Sequence, residues 1–176
     1  MKQVFRLLGF LLLTSIAPVG WSSALSLDEI LANTPELRGD LPQPVTQTGV
    51  SVGERHWYHH EIVAYLDTLA AASPRMVALG PHATSYGGRS LVSYAISSEA
   101  NIDKLQAIKA ARAQIIDPAN TADLTEQPAV MHMMYSIHGN EPSGSNASPL
   151  VAYYLNASLD PAITAQLEDV VIIFNP

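Results

Sequence analysis

The chain changes hydrophobic rhythm several times, and each change marks an element. Ala129 to Ile137 is a largely apolar run between Pro128 and Gly139, which suits a buried strand. Beyond it the period becomes helical, with Leu150, Val151, Tyr154 and Leu155 recurring on one face of a helix predicted over Ser143 to Asn156. Asp160-Pro161 opens a short helix to Glu168, and Val170 to Phe174 is a second continuous apolar strand. Strand, helix, strand in that order predicts a right-handed parallel crossover.

Upstream, Met76 to Gly80 and Leu91 to Ser97 read as two strands joined as a hairpin, with the turn chemistry in Tyr86-Gly87-Gly88-Arg89. Arg89 either pins that loop to the sheet or lies near a substrate cleft, and the structural role is the favoured reading. His56 to Ala72 repeats Ile62, Val63, Leu66 and Leu69 at helical intervals and stops before Pro74, while Ile102 to Ile116 forms a second amphipathic helix. Ser26 caps a short helix, but prolines and a glycine interrupt the chain after it, so Leu25 to Gly53 reads as a loose lead-in. The expected fold is a three-layer α/β/α sandwich on a mixed, mostly parallel sheet, with the catalytic domain over 54–176.

Composition refines this picture in three ways. A hydrophobic share of 48% suffices for a sizeable core in 176 residues. Met1 to Ala24 stands apart: Lys2 and Arg6 precede an apolar run, Leu7 to Ile16, too short for a bilayer span, and Ser22-Ser23-Ala24 offers small residues for cleavage. That is the pattern of a secretory signal peptide, so an exported protein, periplasmic or extracellular, is expected, without stable membrane association once the segment is removed. The formal net charge is −7, and residues 1–24 hold two basic residues and no acid, so the remainder is more acidic still. Scattered Lys and Arg on an acidic chain argue against nucleic acid and anionic lipid as partners. No cysteine occurs, which excludes a disulfide framework and a lipoprotein anchor.

The candidate chemistry lies where the central strand hands over to its helix. His138-Gly139-Asn140-Glu141-Pro142 sets an imidazole and a carboxylate three residues apart at the carboxyl end of a strand, the edge where open α/β sheets place their sites. A catalytic zinc takes three protein ligands and leaves one position for water, and two histidines with one glutamate is one such set. Gly139 removes bulk and permits unusual backbone angles, and Pro142 fixes the chain at the helix start. By spacing alone the same residues are equally a solvated loop with a helix-capping acid.

The run from His138 to Gly144 resembles the zinc signature of the metallocarboxypeptidases, the family of carboxypeptidases A and B and their bacterial relatives. Ser85-Tyr86-Gly87-Gly88-Arg89-Ser90-Leu91 is similar to the family's Ser-x-x-Gly-Arg-x-Leu turn, and Val170 to Pro176 resembles the strand leading into its Asn-Pro-Asp-Gly segment. The three motifs stand in the family's order over about residues 56 to 176. The resemblance implies an α/β/α fold, one Zn2+ per catalytic domain, peptide or protein C-termini as substrates, and His138 and Glu141 as two metal ligands. It also implies that the third ligand, the general base and the carboxylate-binding arginines lie beyond the Asn-Pro-Asp-Gly segment. The chain is therefore expected to be the amino-terminal part of a longer enzyme, inactive by itself, and no catalytic residue is assigned within it. An amidohydrolase or deacylase on the same fold would share these motifs, and a non-catalytic zinc-binding or interaction module is the third class.

The other histidines offer less. His56 and His60 are four apart, which on a helix would turn both rings one way, and His59 and Glu61 add further candidates, but the polar run sits at a helix start, lacks a partner and reads as surface. His132 lies six positions before His138 on the same expected strand, so ~3.3 Å per residue puts it ~20 Å away. His82 is expected to be solvated. Met131, Met133 and Met134 read as core fillers. Asn146-Ala147-Ser148 and Asn156-Ala157-Ser158 match the glycosylation pattern but fall in or at the end of a helix, and are discounted. Ser143 and Ser145 form no nucleophile elbow, so a serine hydrolase is the weakest class.

Overall fold

The computed structural model describes residues 26–120, 123 and 125–176. The expected signal peptide lies outside the described residues. Leu27–Leu31 forms α1, capped as its sequence implies: Glu29 accepts from the Ser26 backbone N–H at 2.8 Å while its own N–H donates to the Ser26 hydroxyl at 3.2 Å. Helix α2 spans His59–Ala72. It begins three residues later than the periodicity suggests, because Tyr58 is extended and Glu61, at the third helical position, accepts the Tyr58 N–H at 2.8 Å. Ile62, Tyr65, Leu66 and Leu69 are its buried face.

Strands β1 (Met76–Thr84) and β2 (Ser90–Ile96) pair antiparallel, with register shifts after Ala78 and Pro81. Gly88 takes a φ of 76° in the connecting turn, a conformation that explains glycine there. The turn is closed by backbone: Arg89 donates its N–H to the Ser85 hydroxyl and accepts the Ser85 N–H at its carbonyl. The Arg89 side chain is exposed and makes no hydrogen bond or ion pair among the described residues, so it does not pin the loop. The second predicted helix divides into α3 (Glu99–Asp103) and α4 (Leu105–Ala113), broken at Lys104, and ends in a 3-10 turn over Gln114–Ile116. Strand β3 is Ala129–Met134, α5 is Pro142–Ala157, α6 is Pro161–Asp169 and β4 is Val170–Asn175.

The sheet order is β1-β2-β4-β3. Only β3 and β4 run parallel; β2 meets both β1 and β4 antiparallel, so the sheet is mixed as expected but only partly parallel, with one parallel pairing in three, because the β1–β2 hairpin joins β4 through an antiparallel ladder. Alternation along the strands separates two faces. Tyr94, Ile96, Ile172 and Phe174 pack with the buried side chains of α2 and α5, whereas Ala95 and Val171 pack with Ile108 of α4. That gives the three expected layers.

Two sequence-based expectations give way to packing. The lead-in is not loose: Leu27, Leu41 and Val52 are buried in the main core, Tyr65 donates its hydroxyl to the Pro42 carbonyl at 3.1 Å, and Leu37 bridges to Ser158. Strand β3, expected to be buried, is largely exposed and pairs on one side only among the described residues. Met133 reaches the core, but Met131 and Met134 do not.

Buried polar groups tie the halves together. Ser97, fully buried, lies 2.9 and 2.7 Å from the carbonyls of Leu167 and Val170, and Arg75 reaches the Ser158 carbonyl at 2.9 Å past the end of α5. Asn156 is also fully buried, accepting from the Ser73 hydroxyl at 2.6 Å and donating to Ala152 at 2.8 Å, so no sugar reaches it.

Candidate functional site

Strand β3 stops where its ladder stops. Tyr135 donates one more backbone bond to Asn175, and then Ser136 turns the chain with a φ of 53°, the one described non-glycine residue in the left-handed region. Such a conformation costs about 1–3 kcal/mol and persists where surrounding contacts fix it. Here the fixing is local: the Ser136 hydroxyl donates to the Glu141 carbonyl and accepts the Ser145 N–H at 3.1 Å. One side chain thereby joins the strand end to the first turn of α5. That approach is tight at Gly144, where a Cβ would sit 3.1 Å from both the Ser136 nitrogen and its hydroxyl oxygen and Ser136 would have to give by a few tenths of an ångström. Gly139 plays no such part. It has room for a Cβ and no positive φ, so the freedom expected of it is not used.

Between Ser136 and α5 the chain makes a turn closed by Glu141 N–H to the His138 carbonyl at 3.0 Å. The turn brings the two predicted ligands together. His138 Nδ1 and Glu141 Oε1 are 3.0 Å apart, and the other carboxylate oxygen accepts the His138 backbone N–H at 3.3 Å. Glu141 stands at the N-cap of α5 without capping it, so its carboxylate is directed to the imidazole instead. Both side chains are more than half exposed. The His138 side chain, and after it the His138 N–H, hold the Glu141 carboxyl below the ordinary carboxylate range. Pro142 occupies the first helical turn, as its missing N–H allows.

The pair opens onto a pocket of about 250 Å³ whose opposite wall comes from residues upstream of α2 and from its first turn: His56, Trp57, His59 and Ile62. Asn146 links the two walls, accepting the Trp57 N–H at 2.5 Å and donating to the Pro142 carbonyl at 3.0 Å. Trp57 is buried, its ring edge-on to Tyr65. The expected pairing of His56 with His60 on one helix face does not form, because His56 precedes the helix and His60 stacks on Tyr58. His56 and His59 are instead the histidines facing the site, and no local spacing signals this; only the packing of α2 against α5 does.

The remaining histidines belong to a separate network. His132 is bonded through Nε2 to the Asn175 side chain, whose amide donates to Ser93 Oγ at 2.8 Å, and Ser93 lies 3.0 Å from His82 Nδ1. His82 is thus hydrogen-bonded, not merely solvated. Among the described residues no group of three or more His, Asp or Glu side chains is placed to hold a metal.

A layered α/β domain that sets an imidazole and a carboxylate side by side beyond the carboxyl end of its parallel strand has them at the edge where open α/β sheets place their sites. The chain belongs to the zinc carboxypeptidase family, whose family model matches residues 62–176. Comparison with curated proteins and with solved structures gave no match. Family membership gives a carboxypeptidase-type hydrolase as the general function, peptides as the substrate class and zinc as the implied metal.

Proposed function

We propose that this chain carries part of the catalytic centre of an exported zinc carboxypeptidase that hydrolyses the C-terminal peptide bond of its substrates, with His138 and Glu141 as two of the metal's ligands. The observation that carries the reading is the 3.0 Å separation of His138 Nδ1 and Glu141 Oε1 in the family-matched segment. Bonds of about 2.0–2.1 Å at tetrahedral angles put neighbouring donor atoms about 3.4 Å apart, so an opening of about 0.4 Å would accommodate the ion. The donor types, nitrogen and carboxylate oxygen, are those zinc takes in hydrolytic sites. When bound, zinc polarises a carbonyl and lowers the pKa of its water toward ~7.

The protein's own contribution is positional. The Ser136 turn and the Pro142 helix start fix the backbone on both sides of the ligand pair, and Asn146 holds the facing wall at a set distance. A catalytic centre of this kind uses a third protein donor. The signal-peptide pattern of residues 1–24 supports export, and no described helix is long and apolar enough to cross a membrane. Metal analysis tests the assignment: zinc content should fall several-fold in His138→Ala and in Glu141→Ala. Undiminished zinc in both variants removes the two residues from the site.

A further inference from the structure

We propose that His56 and His59 are substrate-positioning residues that donate hydrogen bonds to acceptor oxygens of a peptide lying in the pocket beside His138 and Glu141. The inference rests on the carboxypeptidase reading above and goes beyond the family-matched segment, which begins at residue 62. Three observations carry it. Both imidazoles line the same 250 Å³ pocket as the proposed ligands, close to the lower size bound of small-molecule sites and suited to a short stretch of peptide. Both are exposed, and among the described residues neither ring has a hydrogen-bond partner, in contrast to His82, His132 and His138.

The third observation is that the segment bearing them is fixed. Arg55 forks onto Glu61 at 2.9 and 2.7 Å and also donates to the His56 carbonyl at 2.8 Å, Glu61 accepts the Tyr58 N–H, and the Trp57 N–H is held by Asn146. The backbone that carries the two rings is thus preorganised, and even the neutral imidazole keeps one N–H donor. A peptide supplies one carbonyl acceptor per residue and a terminal carboxylate. Trp57 and Ile62, which line the same pocket, give its wall apolar surface against which a peptide side chain can rest.

The experiment uses the zinc-loaded protein and a series of acetyl-Ala-Ala-Xaa tripeptides, with the tightest member carried forward. Binding by calorimetry, KM and kcat for any member that is cleaved, and zinc content are measured for wild type, His56→Ala, His59→Ala, the two His→Gln variants and His60→Ala. Loss of one hydrogen bond predicts a three- to tenfold weaker dissociation constant or higher KM in each Ala variant, with kcat within about twofold. The Gln variants, which keep an N–H donor, should recover most of the loss, and His60→Ala should match wild type. Zinc content should be the same throughout. Wild-type affinity in both Ala variants overturns the proposal, as does zinc loss in them, since the imidazoles would then be holding metal. A zinc-loaded wild type that binds no tripeptide also overturns it. A wild type that takes up no zinc overturns the carboxypeptidase reading, and this inference with it.

Discussion

Replacing Gly144 by alanine separates the two glycines of the site by mechanism. At position 144 the new methyl would stand 3.1 Å from the Ser136 nitrogen and hydroxyl oxygen. Relief requires Ser136 to retreat, yet its nitrogen follows a residue held in the ladder by the Tyr135 to Asn175 bond, and its hydroxyl is engaged by both Ser145 and Glu141. Overpacking of this kind costs about 1–3 kcal/mol, while alanine in a helix gains about 1 kcal/mol over glycine. The net expectation is a destabilisation of up to about 2 kcal/mol, or several degrees in Tm for a domain of this size. At Gly139 the methyl meets nothing within 4 Å and no positive φ is needed, so Gly139→Ala should be neutral or stabilising by up to about 1 kcal/mol. Urea denaturation of both variants measures the difference, and zinc titration reads the geometry. Gly144→Ala should weaken zinc binding because it dislodges the serine that joins the strand to the ligand turn. Equal stability of the two variants, or a Gly139→Ala variant that loses more than Gly144→Ala, refutes the account.

Other expectations come from individual contacts. Asn146→Ala removes the acceptor of the Trp57 N–H and should cost about 1–3 kcal/mol in urea denaturation, whereas Asn146→Asp, which keeps an acceptor oxygen, should cost less. Ser97→Ala removes a fully buried hydroxyl whose single proton goes to either the Leu167 or the Val170 carbonyl; Leu167 keeps the Ser98 N–H at 2.9 Å, so a loss of about 1 kcal/mol is expected by the same assay. The Arg55 fork, and after it the Tyr58 N–H, depress the Glu61 pKa to about 2, so the stability this carboxylate adds is present above its unfolded value near 4.5 and is lost as pH falls toward 2. The urea midpoint should therefore decline through that window more steeply in wild type than in Glu61→Gln. Zinc in excess should raise the Tm of wild type by mass action and leave Glu141→Ala unmoved, as differential scanning calorimetry would record.

Much of the fold is legible because period and punctuation agree. Asp160-Pro161 opens α6 with Asp160 accepting the Ala162 N–H at 2.8 Å, and the apolar run from Val170 is β4, buried at Val171, Ile172 and Phe174. The ligand pair is legible for a similar reason: four residues, His138 to Glu141, between the expected strand end at Ile137 and Pro142 leave the chain little choice but a turn. What periodicity misses depends on neighbours far along the chain. Hydrophobic content alone does not tell a strand flanked on both sides from one flanked on one, so β3 reads as interior. The lead-in looks loose because its prolines prevent regular structure, yet Leu41 and Val52 are buried without it. His56 and His59 read as surface residues because their place at the site arises from Asn146, ninety and eighty-seven positions away in this numbering, and no spacing rule spans that interval.

The antiparallel ladder between β2 and β4 has a kinetic consequence. Tyr94 faces Phe174 across it, and closing a loop of that span costs about 4 kcal/mol of chain entropy before any contact repays it. The β1 and β2 hairpin, by contrast, closes over a handful of residues. The hairpin should assemble early and wait, with Tyr94 and Ile96 wet and one margin of β2 unpaired, until the last strand arrives. Refolding is then governed by the search of a distant segment for that margin, and this waiting species is the one through which copies of the chain would capture one another at high concentration.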